Sequence, residues 1–267
     1  MGGRSGGTLT TTTSKKKKKS EKSDDSRSNG GREIPFTLSS RIKTPLGEKK
    51  KRPPSLQKKQ NTDQKFENGS HSVLLRDDVL SPKECAEIAE VCSTRYRLAT
   101  SRGPKFGEAW RKNNRFSFVD EKLAKMLWED VGLKTMFSTA SDDDTNKKGG
   151  GEQFHSLNEN FRVYEYTQSH HFGPHIDERV RKTSNRGENL VSTHTMLLYL
   201  AGEENGLRGG NTYFLDEYGN RVFSVTPKMG RACFFRHGEE KCEHEGEEIF
   251  AGKKIVLRSD VFKVADE

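Results

Sequence analysis

The sequence is poor in apolar residues: 30% of its 267 residues are hydrophobic, whereas 32% are charged. No apolar run approaches the roughly 20 residues that a membrane-spanning helix needs. The N-terminal stretch MGGRSGG also lacks the apolar core of a secretory signal. We therefore expect a protein with no membrane contact, located in the nucleus or cytoplasm and not secreted.

Cysteine is scarce as well, and the spacing of the cysteines does not match that of a structural zinc site. The four cysteines, Cys85, Cys92, Cys233 and Cys242, form no CxxC pair. Structural zinc sites usually contain such pairs. Without a secretory signal, the pattern indicates reduced thiols rather than disulfides.

Excess basic charge is confined to the N-terminal part of the chain. Residues 1–72 contain 18 Lys and Arg against seven Asp and Glu, whereas the remainder contains 29 against 32. The same segment has too few apolar residues to offset its ordering entropy. We predict a disordered basic tail rich in Lys, Ser and Thr at 1–71 and a folded domain at 72–267. The runs Lys15–Lys19 and Lys49–Arg52 could be nuclear-import signals, nucleic-acid contacts or parts of an inert linker.

Two helices followed by many strands are predicted in the folded part. The stretch SPKECAEIAEVC begins with Ser81, Pro82 and Glu84, a capping box with proline at the first helical position. A second helix begins at Asp120. Five segments then have the composition of strands: FRVYEY, TMLLYL, NTYFLD, RACFFR and KIVLRSDVF. This order predicts an α+β domain whose β part is a sandwich or jelly roll.

One short segment carries residues that could bind a metal. His175 and Asp177 are separated by one residue, so on a strand both side chains face the same way. Two histidines and one carboxylate form the facial triad of non-haem Fe(II) oxygenases. His244 is the candidate third ligand, and Lys254, ten residues later, could pair with a carboxylate of a dianionic co-substrate. Its neighbour Lys253 is an alternative, because only one of the two can point inward.

Other polar residues leave alternatives open. His170 and His171 could extend the metal site, although a role at its rim is favoured, and His237 competes with His244. Arg258 and Asp260 could form a buried pair or contact the substrate. The loop ERVRKTSNRGENLVSTH could select the substrate or be an ordinary solvated loop; its basic residues are Arg179, Arg181, Lys182 and Arg186.

The ordered motifs of the C-terminal region resemble the prolyl 4-hydroxylase-like branch of the 2-oxoglutarate/Fe(II) dioxygenases. The resemblance covers about residues 72–264 and is strongest over 158–262. It rests on a Tyr nine residues before HxD, on T-x-x-x-Y-L, G-G-x-T-x-F and P-x-x-G, and on a distal H-x7-G-x-K; the residues that meet these patterns are Tyr166, His175, Asp177, Thr195, Tyr199, Leu200, Gly209, Gly210, Thr212, Phe214, Pro227, Gly230, His244, Gly252 and Lys254. Two positions depart from the pattern: Asn211 replaces an acidic residue, and Glu248 replaces the proline of the collagen-modifying members.

The resemblance implies a double-stranded β-helix (jelly roll) at about 158–264, with supporting helices on its N-terminal side. It implies Fe(II) bound by His175, Asp177 and His244, and 2-oxoglutarate bound by Lys254. Hydroxyl groups of Tyr166, Tyr199 and Thr195 are candidates to contact the co-substrate. O₂ is the oxidant, and ascorbate is a further candidate cofactor.

The activity expected from the resemblance is hydroxylation of a C–H bond, with release of succinate and CO₂. The expected partner is a protein or peptide substrate of prolyl type, although the two departures argue against collagen-like substrates. An alternative is oxidative demethylation of nucleic acid, which the basic tail favours and the acidic folded part opposes. A second alternative is a non-catalytic jelly-roll module that its tail recruits to nucleic acid.

Overall fold

The computed structural model of the protein describes residues 37–42, 64–68, 71–94, 108–138, 154–237 and 242–265, which all lie in one unit, Pro35–Glu267. The helices in this part of the chain are α1 (Pro82–Ser93), α2 (Glu121–Lys125), the π-helix Met126–Asp130, α3 (Thr135–Ser138) and the 3₁₀-helix Glu203–Asn205. None of them has the length and apolar composition that crossing a bilayer requires.

Sixteen strands are present in the described ranges. They are β1 (Gln64–Asn68), β2 (His71–Arg76), β3 (Arg111–Lys112), β4 (Asn114–Val119), β5 (Phe154–Leu157), β6 (Asn160–Tyr166), β7 (His171–His175), β8 (Arg181–Thr183), β9 (Asn189–Tyr199), β10 (Arg208–Gly209), β11 (Thr212–Leu215), β12 (Arg221–Val225), β13 (Ala232–Arg236), β14 (His244–Gly246), β15 (Ile249–Ala251) and β16 (Lys254–Val264).

Fourteen of these strands form two antiparallel sheets that make up a jelly roll, as predicted. The major sheet has the order β1-β2-β13-β9-β16-β6-β4, with β5 added beside β16 and β8 beside β9. The minor sheet has the order β12-β11-β14-β7-β3, and β10 pairs separately with β15. Because the sequence neighbours β13 and β14 lie in different sheets, residues far apart in the chain are brought together between the sheets.

Alternating residues of the major sheet bury two different apolar cores. On β9, Met196 and Leu198 pack with the helices, whereas Leu197 and Tyr199 face the other way, into the core shared with Phe214 of the minor sheet. This follows from the two-residue period of a strand. The nearly continuous apolar sequence of the central strand therefore reflects burial on both faces of the sheet.

Helix α1 begins where the sequence predicted. The Ser81 side chain accepts a hydrogen bond from the Glu84 backbone N–H, and the Glu84 carboxylate accepts one from the Ser81 N–H, which completes the capping box. Cys85, Ile88 and Cys92 are buried against the major sheet, which explains two of the cysteines as packing residues. The predicted second helix is present as α2, capped by Asp120, and continues as the π-helix, which the sequence did not predict.

The folded unit extends past the predicted boundary at residue 72, because residues 37–42 pack on the domain and β1 pairs with β2. Leu38 is fully buried, and the Ser39 backbone N–H and hydroxyl donate to the Asp120 carboxylate at 2.7 and 2.8 Å. The lysine runs of the predicted tail lie outside the described residues.

The burial of Leu38 makes a prediction about stability. We expect Leu38→Ala to lower the free energy of unfolding by about 2–5 kcal/mol, because the truncation leaves a cavity in the core. Urea unfolding followed by circular dichroism would measure the loss. Tyr218→Ala, at a side chain that is 81% exposed, is the control and should change stability by less than about 0.5 kcal/mol. Equal effects of the two substitutions would show that Leu38 does not pack on the domain in solution.

Candidate metal and co-substrate site

Three side chains that are distant in sequence converge between the two sheets. His175 ends β7, and His244 begins the neighbouring strand β14, where the two residues are paired directly across the ladder. Asp177 lies two residues beyond the end of β7, not on a strand as the sequence predicted, yet its carboxylate still points to the same place. One potential ligand atom from each of the three residues lies within 4.8 Å of the others.

Both imidazole rings are held in the orientation that metal ligation requires. The Nδ1 of His175 lies 2.9 Å from the Gly173 carbonyl, and the Nδ1 of His244 lies 3.0 Å from the Cys242 carbonyl. Each Nδ1 can therefore donate its proton to a backbone oxygen, which leaves Nε2 as a free lone pair. These Nε2 atoms lie 3.8 and 3.7 Å from oxygens of the Asp177 carboxylate.

The protonation states also suit a metal. Burial lowers the pKa of His175 to about 3, and burial likewise lowers the pKa of His244. For Asp177, burial opposes ionisation, but Arg258 and the two histidines outweigh it and hold the pKa below its usual value. At neutral pH the site thus presents two neutral imidazoles and one carboxylate, the forms that bind metal ions. The short His–Asp distances therefore do not represent ion pairs.

Two further residues hold the Asp177 carboxylate. The Thr195 hydroxyl donates to its Oδ2 at 2.7 Å, and Arg258 Nη2 lies 3.1 Å from its Oδ1. Arg258 also reaches Asp260 Oδ1 at 3.4 Å, so it bridges two buried acids. The sequence-based prediction for Thr195 thus needs correction: its hydroxyl contacts Asp177 and His237 rather than the surroundings of Lys254.

Lys254 forms the cationic end of the same space. It is 4% exposed, whereas the side chain of Lys253 is 63% exposed and points to Glu165. The ammonium group donates to the Gly210 carbonyl at 2.6 Å and lies 3.4 Å from the Thr212 hydroxyl. No carboxylate among the described residues forms an ion pair with it, and burial lowers the pKa of Lys254 to about 7. A buried ammonium without a counter-ion is suited to bind an anionic ligand.

The predicted tyrosines and one further hydroxyl group surround Lys254. The ammonium lies 5.5 Å from the ring centroid of Tyr166 and 5.6 Å from that of Tyr199. The Tyr199 hydroxyl is 2.8 Å from the Thr212 hydroxyl. Thr212 was not predicted as a site residue, although its place in the G-G-x-T-x-F motif could have identified it.

Glycine residues permit the close approach of strands at this end. Gly210 has φ +77°, and a Cβ atom there would lie 2.5 Å from Ile249 Cδ1. Gly252 has φ +75°, and its Cβ would lie 2.5 Å from the Gly206 carbonyl oxygen. L-residues rarely adopt this left-handed conformation. The glycines of the G-G-x-T and G-x-K motifs therefore bring Lys254 against the Gly210 carbonyl.

One cavity connects the His–Asp–His cluster to Lys254. Its lining includes Phe172, Leu197 and Val256 as apolar walls, together with the candidate ligands, Lys254 and Arg258. In ligand pockets of this kind, a few polar groups fix the orientation of the ligand. Here the polar groups are placed to orient a small dianion between a metal ion and the lysine.

Other candidate residues lie elsewhere. His237 is buried and hydrogen-bonded to Ser192 and Thr195, and neither it nor His170 and His171 belongs to the three-residue cluster. Lys182 and Arg186 line a different cavity from the one described above.

The donor set matches the chemistry of one metal in particular. Two imidazole nitrogens and one carboxylate oxygen on one side of an ion, with room on the other side, form the arrangement typical of non-haem Fe(II) oxygenases. The hydrogen bonds to both Nδ1 atoms and to the carboxylate supply the outer contacts that such ligands usually have. The residues present thus fit an Fe(II) ion.

Comparison with known proteins gives a family match over the same region. Residues 161–259 match the model of the 2OG-Fe(II) oxygenase superfamily. No curated protein sequence matches the chain.

Several solved structures are similar to this one. The viral collagen prolyl hydroxylase vCPH from Paramecium Bursaria Chlorella virus-1, in its 2OG complex, has 18% identity and a TM-score of 0.47, with 72% of this chain and 96% of that chain covered. A Pseudomonas putida prolyl-4-hydroxylase has 15% identity and a TM-score of 0.47, with 73% and 94% covered. An oxidoreductase of the 2OG-Fe(II) oxygenase family from Burkholderia pseudomallei has 11% identity and a TM-score of 0.44, with 73% and 85% covered.

The matched region contains His175, Asp177, His244 and Lys254. Residues 161–259 of this chain thus match the 2OG-Fe(II) oxygenase superfamily, the family that the sequence motifs suggested.

Proposed function

We propose that the protein is an oxygenase that binds Fe(II) through His175, Asp177 and His244 and hydroxylates a C–H bond of a peptidyl, prolyl-type substrate. The observation that carries the proposal is the convergence of these three side chains within 4.8 Å, in a cavity that also contains Lys254. Bound Fe(II) would supply the oxidising chemistry, in which 2-oxoglutarate, O₂ and R–H give succinate, CO₂ and R–OH.

The surrounding residues orient the ligands before any metal binds. The Gly173 and Cys242 carbonyls fix the two imidazole rings, while Thr195 and Arg258 fix the carboxylate. Outer contacts of this kind typically change metal affinity or activity by 10- to 100-fold. Thr195 and Arg258 are therefore positioning residues.

Lys254 would bind the carboxylate of 2-oxoglutarate that is remote from the metal. The Thr212 hydroxyl lies beside the ammonium group, and the Tyr166 ring covers it. Around this polar end, Phe172, Leu197 and Val256 exclude water, which strengthens the interaction between the lysine and a carboxylate. The geometry therefore favours a dicarboxylate long enough to reach from the metal ligands to Lys254.

The peptidyl substrate is inferred from the sequence motifs shared with prolyl hydroxylases. Ascorbate as a cofactor, a nuclear or cytoplasmic location and nucleic-acid contacts of the basic tail remain predictions from the sequence.

The proposal predicts a spectroscopic signal that depends on Asp177. Protein loaded with Fe(II) and 2-oxoglutarate without oxygen should show the visible metal-to-ligand absorption of a chelated 2-oxo acid. We expect Asp177→Ala to abolish this absorption, because the metal loses its only anionic protein ligand. Asp216→Ala, in an exposed turn, is the matched control and should retain it. A folded wild-type protein that binds iron but shows no absorption would refute the proposed function.

The depressed pKa of Lys254 predicts a pH-dependent affinity for 2-oxoglutarate. Because the pKa is about 7, the ammonium is charged below that pH and becomes neutral as the pH rises above it. A carboxylate binds the charged form, so the dissociation constant should increase above pH 7, by up to about tenfold per pH unit. Calorimetric titration of the Mn(II)-loaded protein from pH 6 to pH 9 would measure it.

Two lysine variants complete the pH experiment. Lys254→Met should bind 2-oxoglutarate at least about tenfold more weakly at pH 6, whereas the exposed neighbour variant Lys253→Met should behave as wild type. If Lys253→Met loses affinity and Lys254→Met does not, the assignment of the cationic anchor is wrong.

Thr195 provides a test that separates positioning from co-substrate binding. Thr195→Val preserves shape but removes the hydrogen bond to Asp177. We expect Fe(II) affinity, measured by competition with a chelator, to fall by roughly 10- to 100-fold. At saturating metal, the affinity for 2-oxoglutarate should change by less than about threefold. The opposite pattern would restore the sequence-based role of Thr195 as a co-substrate contact.

A further inference from the structure

Two arginines lie beside the cavity on strands that end the two sheets. Arg111 belongs to β3, the last strand of the minor sheet, and Arg115 belongs to β4, the last strand of the major sheet. Only two residues separate Arg115 from β3, and Arg115 is close enough to act electrostatically on Arg111.

Arg111 is linked to the candidate metal site through one aromatic ring. Its guanidinium carbon lies 5.0 Å from the ring centroid of Phe172, and that ring stacks on His175 with centroids 3.6 Å apart. Arg115 is paired across the ladder with Tyr164, which lines the cavity. Neither arginine lines the cavity, but each is next to a residue that does, so both lie where a substrate approaching His175 would meet them.

Neither arginine is neutralised by a carboxylate of the described residues. The charged side chains that act on Arg111 are Arg115 and Arg258, and burial followed by the repulsion of Arg115 lowers the pKa of Arg111. The two acidic residues that line the cavity are already engaged, because Arg258 contacts Asp177 and Arg221 contacts Glu245.

Uncompensated positive charge at a partly buried position such as that of Arg111 costs folding free energy, which an anionic ligand would offset, while Arg115 is exposed and available to the same ligand. Arginine is suited to this task, since its planar guanidinium pairs with a carboxylate through two parallel hydrogen bonds. The number and position of the arginines fit one carboxylate close to the reacting residue. A nucleic-acid strand would instead need a longer run of phosphate contacts, and the chain beyond residue 72 has fewer basic than acidic residues.

We propose that Arg111 and Arg115 bind a carboxylate of the substrate, so that the preferred substrates are acidic peptides. This inference rests on the proposed function and specifies its substrate class. The carboxylate belongs either to an Asp or Glu side chain near the hydroxylated residue or to the peptide C-terminus. A side chain and a C-terminus present the same carboxylate to the arginines, and the experiment below distinguishes these two origins.

The experiment uses the full-length protein with Fe(II), 2-oxoglutarate and a random-sequence peptide library. One half of the library has amidated C-termini and the other half has free C-termini, and mass spectrometry identifies peptides that gain one oxygen. We expect modified peptides from the amidated half to be enriched in Asp and Glu near the modified residue. Enrichment of free C-termini without such sequence enrichment would identify the terminal carboxylate as the bound group.

The variant Arg111→Gln/Arg115→Gln tests whether the two arginines cause the preference. For an acidic peptide selected from the library, its KM should rise at least about tenfold. The KM for the matched peptide with Asn or Gln in place of the acid, the kcat for either peptide and the 2-oxoglutarate absorption should remain close to wild type. Arg208→Gln, at an exposed position of β10, which pairs with β15 and not with β6 or β7, is the control and should leave all of these values unchanged.

Specific outcomes would overturn the inference while leaving the proposed function intact. The first is a wild-type protein that shows the 2-oxoglutarate absorption but modifies no peptide. The second is a set of modified peptides without enrichment of Asp, Glu or free C-termini in either half of the library. The third is an Arg111→Gln/Arg115→Gln variant that still prefers acidic peptides. Hydroxylation of single-stranded oligonucleotides in place of peptides would also overturn it and would support the nucleic-acid alternative. Loss of the absorption in the wild-type protein would instead refute the proposed function, and the inference with it.

Discussion

The pairing of β7 with β14 is the constraint on which the site depends. This ladder places His175 directly opposite His244, although 68 residues separate them in the chain. The backbone carbonyls of Gly173 and Cys242, each two residues before its histidine, then turn both rings so that the Nε2 atoms face Asp177. A one-residue slip in the register would send one imidazole to the opposite face of the sheet and abolish the cluster.

The major sheet supplies the charges that this cluster needs. Its residues Thr195 and Arg258 hold the Asp177 carboxylate, and Asp260 balances the second side of the arginine. Removing such groups from water is costly unless they are paired. The network therefore explains why an otherwise apolar interior between two sheets tolerates several charged side chains, and why those charges are concentrated at the candidate site.

The need to pair a charge also applies to Lys254 and to Arg111 and Arg115, whose partners would be ligands. In each case a cationic side chain has no carboxylate partner among the described residues. Lys254 lines the cavity beside Thr212 and Tyr166, whereas Arg111 lies against Phe172, whose ring stacks on His175. The proposed co-substrate and substrate would thus each be matched by a different cation.

Local sequence signals determined much of the fold. The capping box at Ser81 predicted the start of α1 because it involves residues three apart, and the strand segments were recognised from their composition and two-residue period. The π-helix after Lys125 and the strands β3 and β4 were not predicted. The π-helix packs its buried residues in the core beside the major sheet, and β3 and β4 pair with β7 and β6, which are distant in the sequence.

The sequence by itself determined the kinds of side chain at the site: the His-x-Asp pair, the distal histidine and the lysine ten residues after it. Only the tertiary structure decided which atoms meet. Thr195 contacts Asp177, Arg111 lies against Phe172, and Arg115 pairs with Tyr164. Strand register and the curvature of two sheets place these side chains, which no spacing along the chain relates.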